Sequence, residues 1–375
     1  MTTIVIFTTD AFSLVNFRGN LIKELVNRSH KVHTIAPDFD EESRKKIRSL
    51  GATPHDCLFQ RTGMNIISDL KACIHLFSLL KVIKPDCILS YFIKPVIYGT
   101  VCGFLVGINQ RVAMIEGLGS VFIKDEGILN LAKKLRVFIV GKMYRIALQL
   151  ASNVIFLNQD DISEFDKRRI FKRENAILLG GIGVDLKEWI NRGQHKEPIT
   201  FTLAARLLRE KGIEVFVDAA RKVKSLHPDC RFVLLGSVDT NPSSLTIREL
   251  QDWVDEKVIE WPGHVSVIKW FSETSVFVLP SYYREGIPRS SQEALAMSLP
   301  IITTDSVGCR ETVIDGFNGF LVPIKNVDAL VEKMIIFINQ PQLIKKMGKK
   351  SREIAERQFD EKIQIIKQLE ILNCS

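Results

Sequence analysis

Val276-Phe277-Val278-Leu279-Pro280-Ser281-Tyr282-Tyr283-Arg284-Glu285-Gly286-Ile287-Pro288-Arg289-Ser290-Ser291-Gln292-Glu293-Ala294-Leu295 decides the reading of this chain. The apolar run from Val276 to Leu279 predicts a strand. Proline suits the first helical position, so a helix is expected from Pro288. Glu285 then lies on a loop at the carboxyl end of a strand, and Glu293 more than a turn along the following helix. Open α/β sheets bind ligands at that edge. The backbone N–H groups of Gly286 and Ile287 just precede the helix, where an anion is held. Two carboxylates on either side of such a pocket point to recognition of hydroxyls on a phosphorylated sugar.

Outward from this stretch, apolar runs alternate with amphipathic segments, the pattern of parallel sheets with crossover helices. Strands are expected at Thr3–Phe7, Val32–Ala36, Cys87–Ser90, Arg111–Ile115 and Val154–Leu157. Helices are expected at Phe17–Asn27, Glu41–Leu50, Ile66–Ile83, Val96–Val106 and Ile128–Leu150. The pattern restarts with strands at Thr200–Ala204, Phe232–Gly236, Val258–Glu260, Ser275–Leu279 and Pro300–Thr304. Helices near Ile213–Leu226, Leu245–Asp255 and Arg289–Met297 separate them. Two doubly wound domains result, 1–190 and 191–355, joined near Gly183–Pro198, a polar segment containing Gly193. Arg352 to Leu372 reads as one long amphipathic helix, and residues 356–375 are expected to cross back to the first domain.

Composition narrows the class. Of 375 residues, 46% are hydrophobic and 25% charged, as in a globular protein with sizeable cores. Seven scattered cysteines with no C-x-x-C fit a reducing compartment and argue against a disulfide framework or a zinc site. No signal peptide or membrane-spanning run is read, so a cytoplasmic location is expected. His30 and His33, at a strand start, read as structural. The net charge of +8 falls entirely on residues 1–195, where 27 Lys and Arg face 19 Asp and Glu. An uneven basic charge suggests an anionic partner: a membrane surface, a polyprenyl diphosphate or a nucleic acid. The helix from Ile128 to Ala151 sets Lys133, Lys134, Arg136, Lys142 and Arg145 among apolar residues. That composition suits either an anionic membrane or a core helix with a solvated basic face.

Other candidates fall at strand ends. Ala204-Ala205-Arg206-Leu207-Leu208-Arg209-Glu210-Lys211-Gly212 follows a strand. Arg206 and Lys211 leave the same sheet edge as Glu285 and are placed to neutralise a departing diphosphate. Gly236-Ser237 closes another strand and is placed against a nucleotide. Pro262-Gly263-His264 follows a further strand, where it would flank a base. The first βα turn, Thr8 to Asn20, reads as a long loop without G-x-G-x-x-G, which disfavours dinucleotide binding. In it, Gly19 would let backbone approach a ligand, and Arg18 would pair with a phosphate or acceptor anion. Asp38-Phe39-Asp40 has the D-x-D spacing of some metal sites, but it precedes an acidic helix start and reads as structural. No other metal constellation is present.

The ordered set Ala205-Arg206, Lys211-Gly212, Glu285-Gly286-Ile287-Pro288, Glu293-Ala294, Pro300-Ile301-Ile302, Glu311-Thr312-Val313 and Asp315-Gly316-Phe317-Asn318-Gly319 resembles the donor domain of glycosyltransferase family 4. Asn16-Phe17-Arg18-Gly19, Lys94-Pro95-Val96-Ile97-Tyr98-Gly99 and Gly117-Leu118-Gly119 resemble its branch acting on polyprenyl-diphosphate-linked sugars, which includes N-acetylgalactosaminyltransferases. The resemblance implies the GT-B fold, two Rossmann-like domains facing across a cleft. It implies retaining transfer of a hexosyl unit from a nucleotide sugar, a substrate, with no divalent metal or other cofactor. Arg206 and Lys211 would hold the diphosphate, Glu293 the ribose hydroxyls and Glu285 the donor-sugar hydroxyls. Gly286 and Ile287 would touch sugar or phosphate. Many relatives carry a histidine where this chain reads Met114-Ile115-Glu116-Gly117-Leu118-Gly119, so Glu116 becomes the candidate for acceptor or sugar contact and no general base is assigned. The expected partners are a nucleotide sugar, a polyprenyl-diphosphate-linked sugar and the anionic inner face of the cell membrane. A nucleotide-sugar epimerase of similar build is the alternative enzyme. A nucleic-acid-binding protein is disfavoured by the lack of aromatic platforms and of any recognised binding motif.

Overall fold

A computed structural model describes residues 1–59, 66–118, 131–191, 197–239 and 241–374. The chain divides into two units, Met1–Ile182 with Gln364–Ser375, and Gly183–Ile363. The change of unit thus falls at Ile182–Gly183, and the chain rejoins the first unit from Gln364, against the positions near 190 and 355 read from the sequence. Gly119 and Gly193, which entered the sequence reading, lie outside the described residues.

In the first unit the described strands are β1 (Thr3–Phe7), β2 (Lys31–Ala36), β3 (Thr53–Asp56), β4 (Cys87–Tyr91), β5 (Gln110–Ile115), β6 (Asn153–Phe156) and β7 (Ala176–Leu178). They form a parallel sheet in the order β3-β2-β1-β4-β5-β6-β7. Its helices are α1 (Ala11–Phe17), α2 (Gly19–Asn27), α3 (Glu41–Ser49), α4 (Ile66–Ile83), α5 (Ile93–Val106), α6 (Leu131–Leu150) and α7 (Gln159–Lys167). Ile4, Val5, Ile6 and Phe7 are fully buried, as expected for a central strand covered by helices on both faces.

The second unit repeats the plan. Strands β8 (Thr200–Ala204), β9 (Arg231–Leu235), β10 (Glu260–Gly263), β11 (Val276–Leu279), β12 (Ile301–Thr304) and β13 (Gly319–Val322) run in the order β10-β9-β8-β11-β12-β13. Helices α8 (Ile213–Leu226), α9 (Ile247–Asp255), α10 (Val267–Phe271), α11 (Arg289–Ala296), α12 (Val327–Asn339) and α13 (Gln342–Gln358) accompany them, and α14 (Glu361–Ile371) follows. In both sheets the strand order reverses beside the first strand, between β1 and β4 and between β8 and β11. That is the switch point, where open α/β sheets bind ligands beyond the carboxyl ends of the strands.

Four sequence expectations are corrected. The first βα turn is not a long loop: it contains α1, capped by Asp10, whose carboxylate accepts from Ser13 N at 2.7 Å. The C-terminal amphipathic stretch is two helices, because at Phe359–Asp360 the backbone leaves the helix to bond Val184. Val184 N donates to Phe359 O at 2.9 Å and Glu361 N donates to Val184 O at 3.1 Å. Gly263 lies inside β10 and not after it; Pro262 is tolerated there because β10 is an edge strand. Pro288 caps α11 instead of opening it.

Candidate active site

The loops after β8 and β11 meet at the switch point of the second sheet. A 3-10 turn, Arg209–Lys211, leads into α8 through Gly212, at φ +76°. A Cβ on Gly212 would stand 2.0 Å from Pro280 O, so only glycine permits this approach. The Glu210 carbonyl clamps the two loops together. It accepts from Tyr282 N at 2.9 Å and Tyr283 N at 3.0 Å, and Ser281 Oγ lies 3.2 Å away.

This clamp brings Lys211 and Glu285 into contact. Sequence reasoning placed them on different parts of a donor, the diphosphate and the sugar, but the structure joins them as an ion pair with side chains only 11% and 9% exposed. A buried pair is tolerated when further hydrogen bonds satisfy it. Here Ser281 Oγ donates to Glu285 Oε1 at 3.0 Å, and the Lys211 ammonium lies 4.9 Å from the centre of the Tyr283 ring. Arg206 is 45% exposed and reaches Asp239 at 3.5 Å, a long contact that holds the guanidinium loosely.

Glu293, on α11, pairs with Arg289 one turn earlier, at 3.1 Å. Burial pushes its carboxyl up to about 7, against the pull of the Arg289 guanidinium. Ile287 O accepts from Gln292 Nε2 at 3.1 Å, and Gly286, Ile287 and Pro288 are buried. The turn after β12 rests on this loop: a Cβ on Gly308, at φ +79°, would stand 2.4 Å from Gly286 O. Beside it, burial first and then the Glu285 carboxylate push the Cys309 thiol up to about 11, which makes it a poor nucleophile.

Gly236, Ser237 and Gly263 knit the neighbouring strand ends together. Gly236 N donates to Gly263 O at 3.1 Å, Trp261 Nε1 donates to Gly236 O at 3.0 Å, and Leu207 N donates to Ser237 O at 3.3 Å. These bonds fix the loop that carries Arg206.

In the first unit, Arg18 and Glu116 also come together, from the regions after β1 and β5. Arg18 is 1% exposed; its guanidinium pairs with the Glu116 carboxylate, donates to Met114 Sδ at 3.1 Å and stacks 4.7 Å from the centre of the Tyr91 ring. Arg18, expected to pair with a phosphate or an acceptor anion, here pairs with Glu116. Gly19 opens α2, and a Cβ there would meet nothing nearer than Leu50 Cδ1 at 3.8 Å, so sterics do not demand glycine. Asp38 accepts from Ala11 N at 2.7 Å, and Asp40 caps α3 in a capping box with Ser43. Among the described residues no group of three or more His, Cys, Asp and Glu is arranged to hold a metal ion.

Sequence reasoning missed Ser281, Tyr283, Asp239 and Arg289. Only Arg289 had a readable signal, its four-residue spacing from Glu293 on a helix.

Two doubly wound sheets, the second presenting a buried Lys–Glu pair and a loosely held arginine at its switch point, have the GT-B fold. Residues 186–354 match the family described as Glycosyl transferases group 1, so the chain carries a group 1 glycosyltransferase domain. It is 29% identical, over 94% of its length and 93% of the relative's, to the N,N'-diacetylbacillosaminyl-diphospho-undecaprenol alpha-1,3-N-acetylgalactosaminyltransferase of Campylobacter jejuni. It is 27% identical, over 73% of its length and 71% of the relative's, to the UDP-Gal:alpha-D-GlcNAc-diphosphoundecaprenol alpha-1,3-galactosyltransferase of Escherichia coli. In fold it is similar to sucrose-phosphate synthase from Thermosynechococcus elongatus, with TM-score 0.80, 16% identity and 100% and 98% of the two chains covered. It is also similar to Anabaena Alr3699/HepE in complex with UDP-glucose, with TM-score 0.78, 15% identity and both chains fully covered.

Proposed function

We propose that this enzyme belongs to the family 4 type and moves a hexose or N-acetylhexosamine, with retention, from a UDP-sugar to a polyprenyl-diphosphate-linked sugar in surface polysaccharide assembly. The Lys211–Glu285 pair at the switch point is the observation that carries the reading. A donor diphosphate offers Lys211 a second anionic partner, and Arg206 is exposed enough to turn onto the same phosphates. Glu285 then accepts hydrogen bonds from donor-sugar hydroxyls and Glu293 from the ribose. Gly286, Ile287 and Pro288 line the sugar and phosphates; Gly236, Ser237 and Gly263 flank the nucleotide. The names of the Campylobacter and Escherichia relatives, both containing a sugar linked through diphosphate to undecaprenol, support the acceptor class.

In the transfer step, the bond from the anomeric carbon to the phosphate oxygen breaks and a bond to the acceptor oxygen forms on the same face. The acceptor proton passes to the departing phosphate oxygen. No enzyme nucleophile is needed, and no divalent metal is assigned. Lys211 and Arg206 stabilise the negative charge that grows on the diphosphate, and the clamp at Glu210 holds Lys211 in place beforehand. In the first unit, Glu116, oriented by Arg18, contacts the acceptor or sugar.

Helices α4 and α6 support docking on an anionic membrane at the cytoplasmic face. Ile67, Leu70, Lys71 and Ile74 form an exposed stripe on α4; Leu135, Phe138, Ile139, Lys142, Arg145 and Ile146 form one on α6. Helix α6 contains no acidic residue.

The assay is incubation of UDP-hexoses and UDP-N-acetylhexosamines with and without a short polyprenyl-diphosphate-linked sugar, followed by mass spectrometry. One donor is expected to add one sugar mass to the acceptor. Isomerisation of a donor in the absence of acceptor would instead favour an epimerase and overturn the proposal.

A further inference from the structure

Ser281 follows β11 and is fully buried, and two other chain segments, the turn at Glu210 and the end of β12, converge on it. Its hydroxyl faces Glu210 O at 3.2 Å and Glu285 Oε1 at 3.0 Å, and accepts from Tyr283 N at 3.2 Å. Its carbonyl accepts from the hydroxyls of Thr304 and Ser306, the latter at 3.0 Å, both beyond the carboxyl end of β12 or at it. The hydroxyl oxygens of Thr304 and Ser306 lie 2.9 Å apart. The main chain at Ser281 is thus pinned from one side by β12 and from the other by the turn that carries Lys211.

A serine hydroxyl has one proton, and here it has two acceptors. A carboxylate is the stronger acceptor and lies nearer, so the proton goes to Glu285, while the Tyr283 N–H fills a lone pair. The Lys211 ammonium and the Ser281 hydroxyl both hold Glu285, and they are donors of different kinds. When a diphosphate draws Lys211 toward itself, Ser281 stays behind as a donor that keeps the Glu285 carboxylate in place for the donor sugar.

We propose that Ser281 is a positioning residue for the donor site, acting through Glu285 and resting on the β12 hydroxyls of Thr304 and Ser306. This rests on the donor-site reading above. A purely structural serine would act on folding alone, whereas a positioning serine loses its effect once Glu285 is neutralised.

The experiment is a double-mutant cycle of Ser281→Ala and Glu285→Gln, scored on affinity for the intact UDP-sugar and on kcat/KM for transfer, with melting temperature as the folding control. Ser281→Ala is expected to lower kcat/KM about ten- to a hundredfold, as for a lost hydrogen bond to a charged group. In the Glu285→Gln background the same change is expected to cost less than about threefold. Ser281→Thr, which keeps the hydroxyl, is expected to recover most of the affinity lost in Ser281→Ala. Equal losses in both backgrounds, or wild-type UDP-sugar affinity and turnover in Ser281→Ala, overturn the proposal. A wild-type protein that binds the UDP-sugar but glycosylates no polyprenyl acceptor defeats the acceptor reading alone, because the UDP-sugar-affinity arm still decides Ser281. A wild-type protein that binds no UDP overturns both.

Discussion

Glu293 has its carboxyl 3.1 Å from Arg289 Nε, yet burial raises it from the ordinary 4.5 to about 7. The folded protein therefore keeps a proton that the unfolded chain releases between these values. Stability then falls as pH rises through that window, by roughly 3 kcal/mol for a group this deeply placed. Thermal melting of the wild type is expected to drop between pH 5 and pH 8, and Glu293→Gln, which carries no titrating proton, is expected to flatten that drop. Parallel melting curves for the two proteins would contradict the assignment. At this scale the sequence showed the chemistry-bearing residues, because Arg206, Lys211, Glu285 and Glu293 stand in a fixed order near strand ends. It did not show their partners. Lys211 and Glu285 are 74 residues apart, and Arg18 and Glu116 are 98 apart, so each pair exists only once the sheets have formed.

Among the elements, the central strands were legible and the edge strands were not. β1 is an almost unbroken apolar run and every residue of β8 is buried, because helices cover both faces. β3, β7 and β13 were missed, and the position of β10 was misread; all four lie at sheet edges, where partial exposure dilutes the apolar signal. The C-terminal break at Phe359–Asp360 was equally invisible, since its cause is a bond to Val184 far away in sequence. Helix α6 was read as either a membrane face or a core helix with a basic side. In the structure Tyr144, Ala147 and Leu148 are buried while Phe138, Lys142 and Ile146 are exposed. The exposed stripes of α4 and α6 are expected to bind phosphatidylglycerol-containing vesicles, with binding that weakens as salt rises. Ile74→Asp with Phe138→Asp is expected to abolish that binding while leaving UDP affinity unchanged. Equal binding to neutral vesicles, or undiminished binding by the double variant, would reject the membrane face.

The whole molecule is two doubly wound units built to one plan, each with candidate site residues beyond the carboxyl ends of its strands. In the first unit, Arg18 and Glu116 follow β1 and β5; in the second, Arg206 with Lys211 and Glu285 follow β8 and β11. The strand alternation made this plan readable, because crossover helices between parallel strands force each functional loop to one edge. The central claim is that the switch point of the second unit holds a nucleotide diphosphate through Lys211 and Arg206. Calorimetric titration of UDP into wild type, Lys211→Ala and Arg206→Ala, each checked to be folded at the titration temperature, is the test. Each substitution is expected to weaken binding at least about tenfold, as for removal of a cation from a diphosphate. Wild-type affinity in both variants would contradict it.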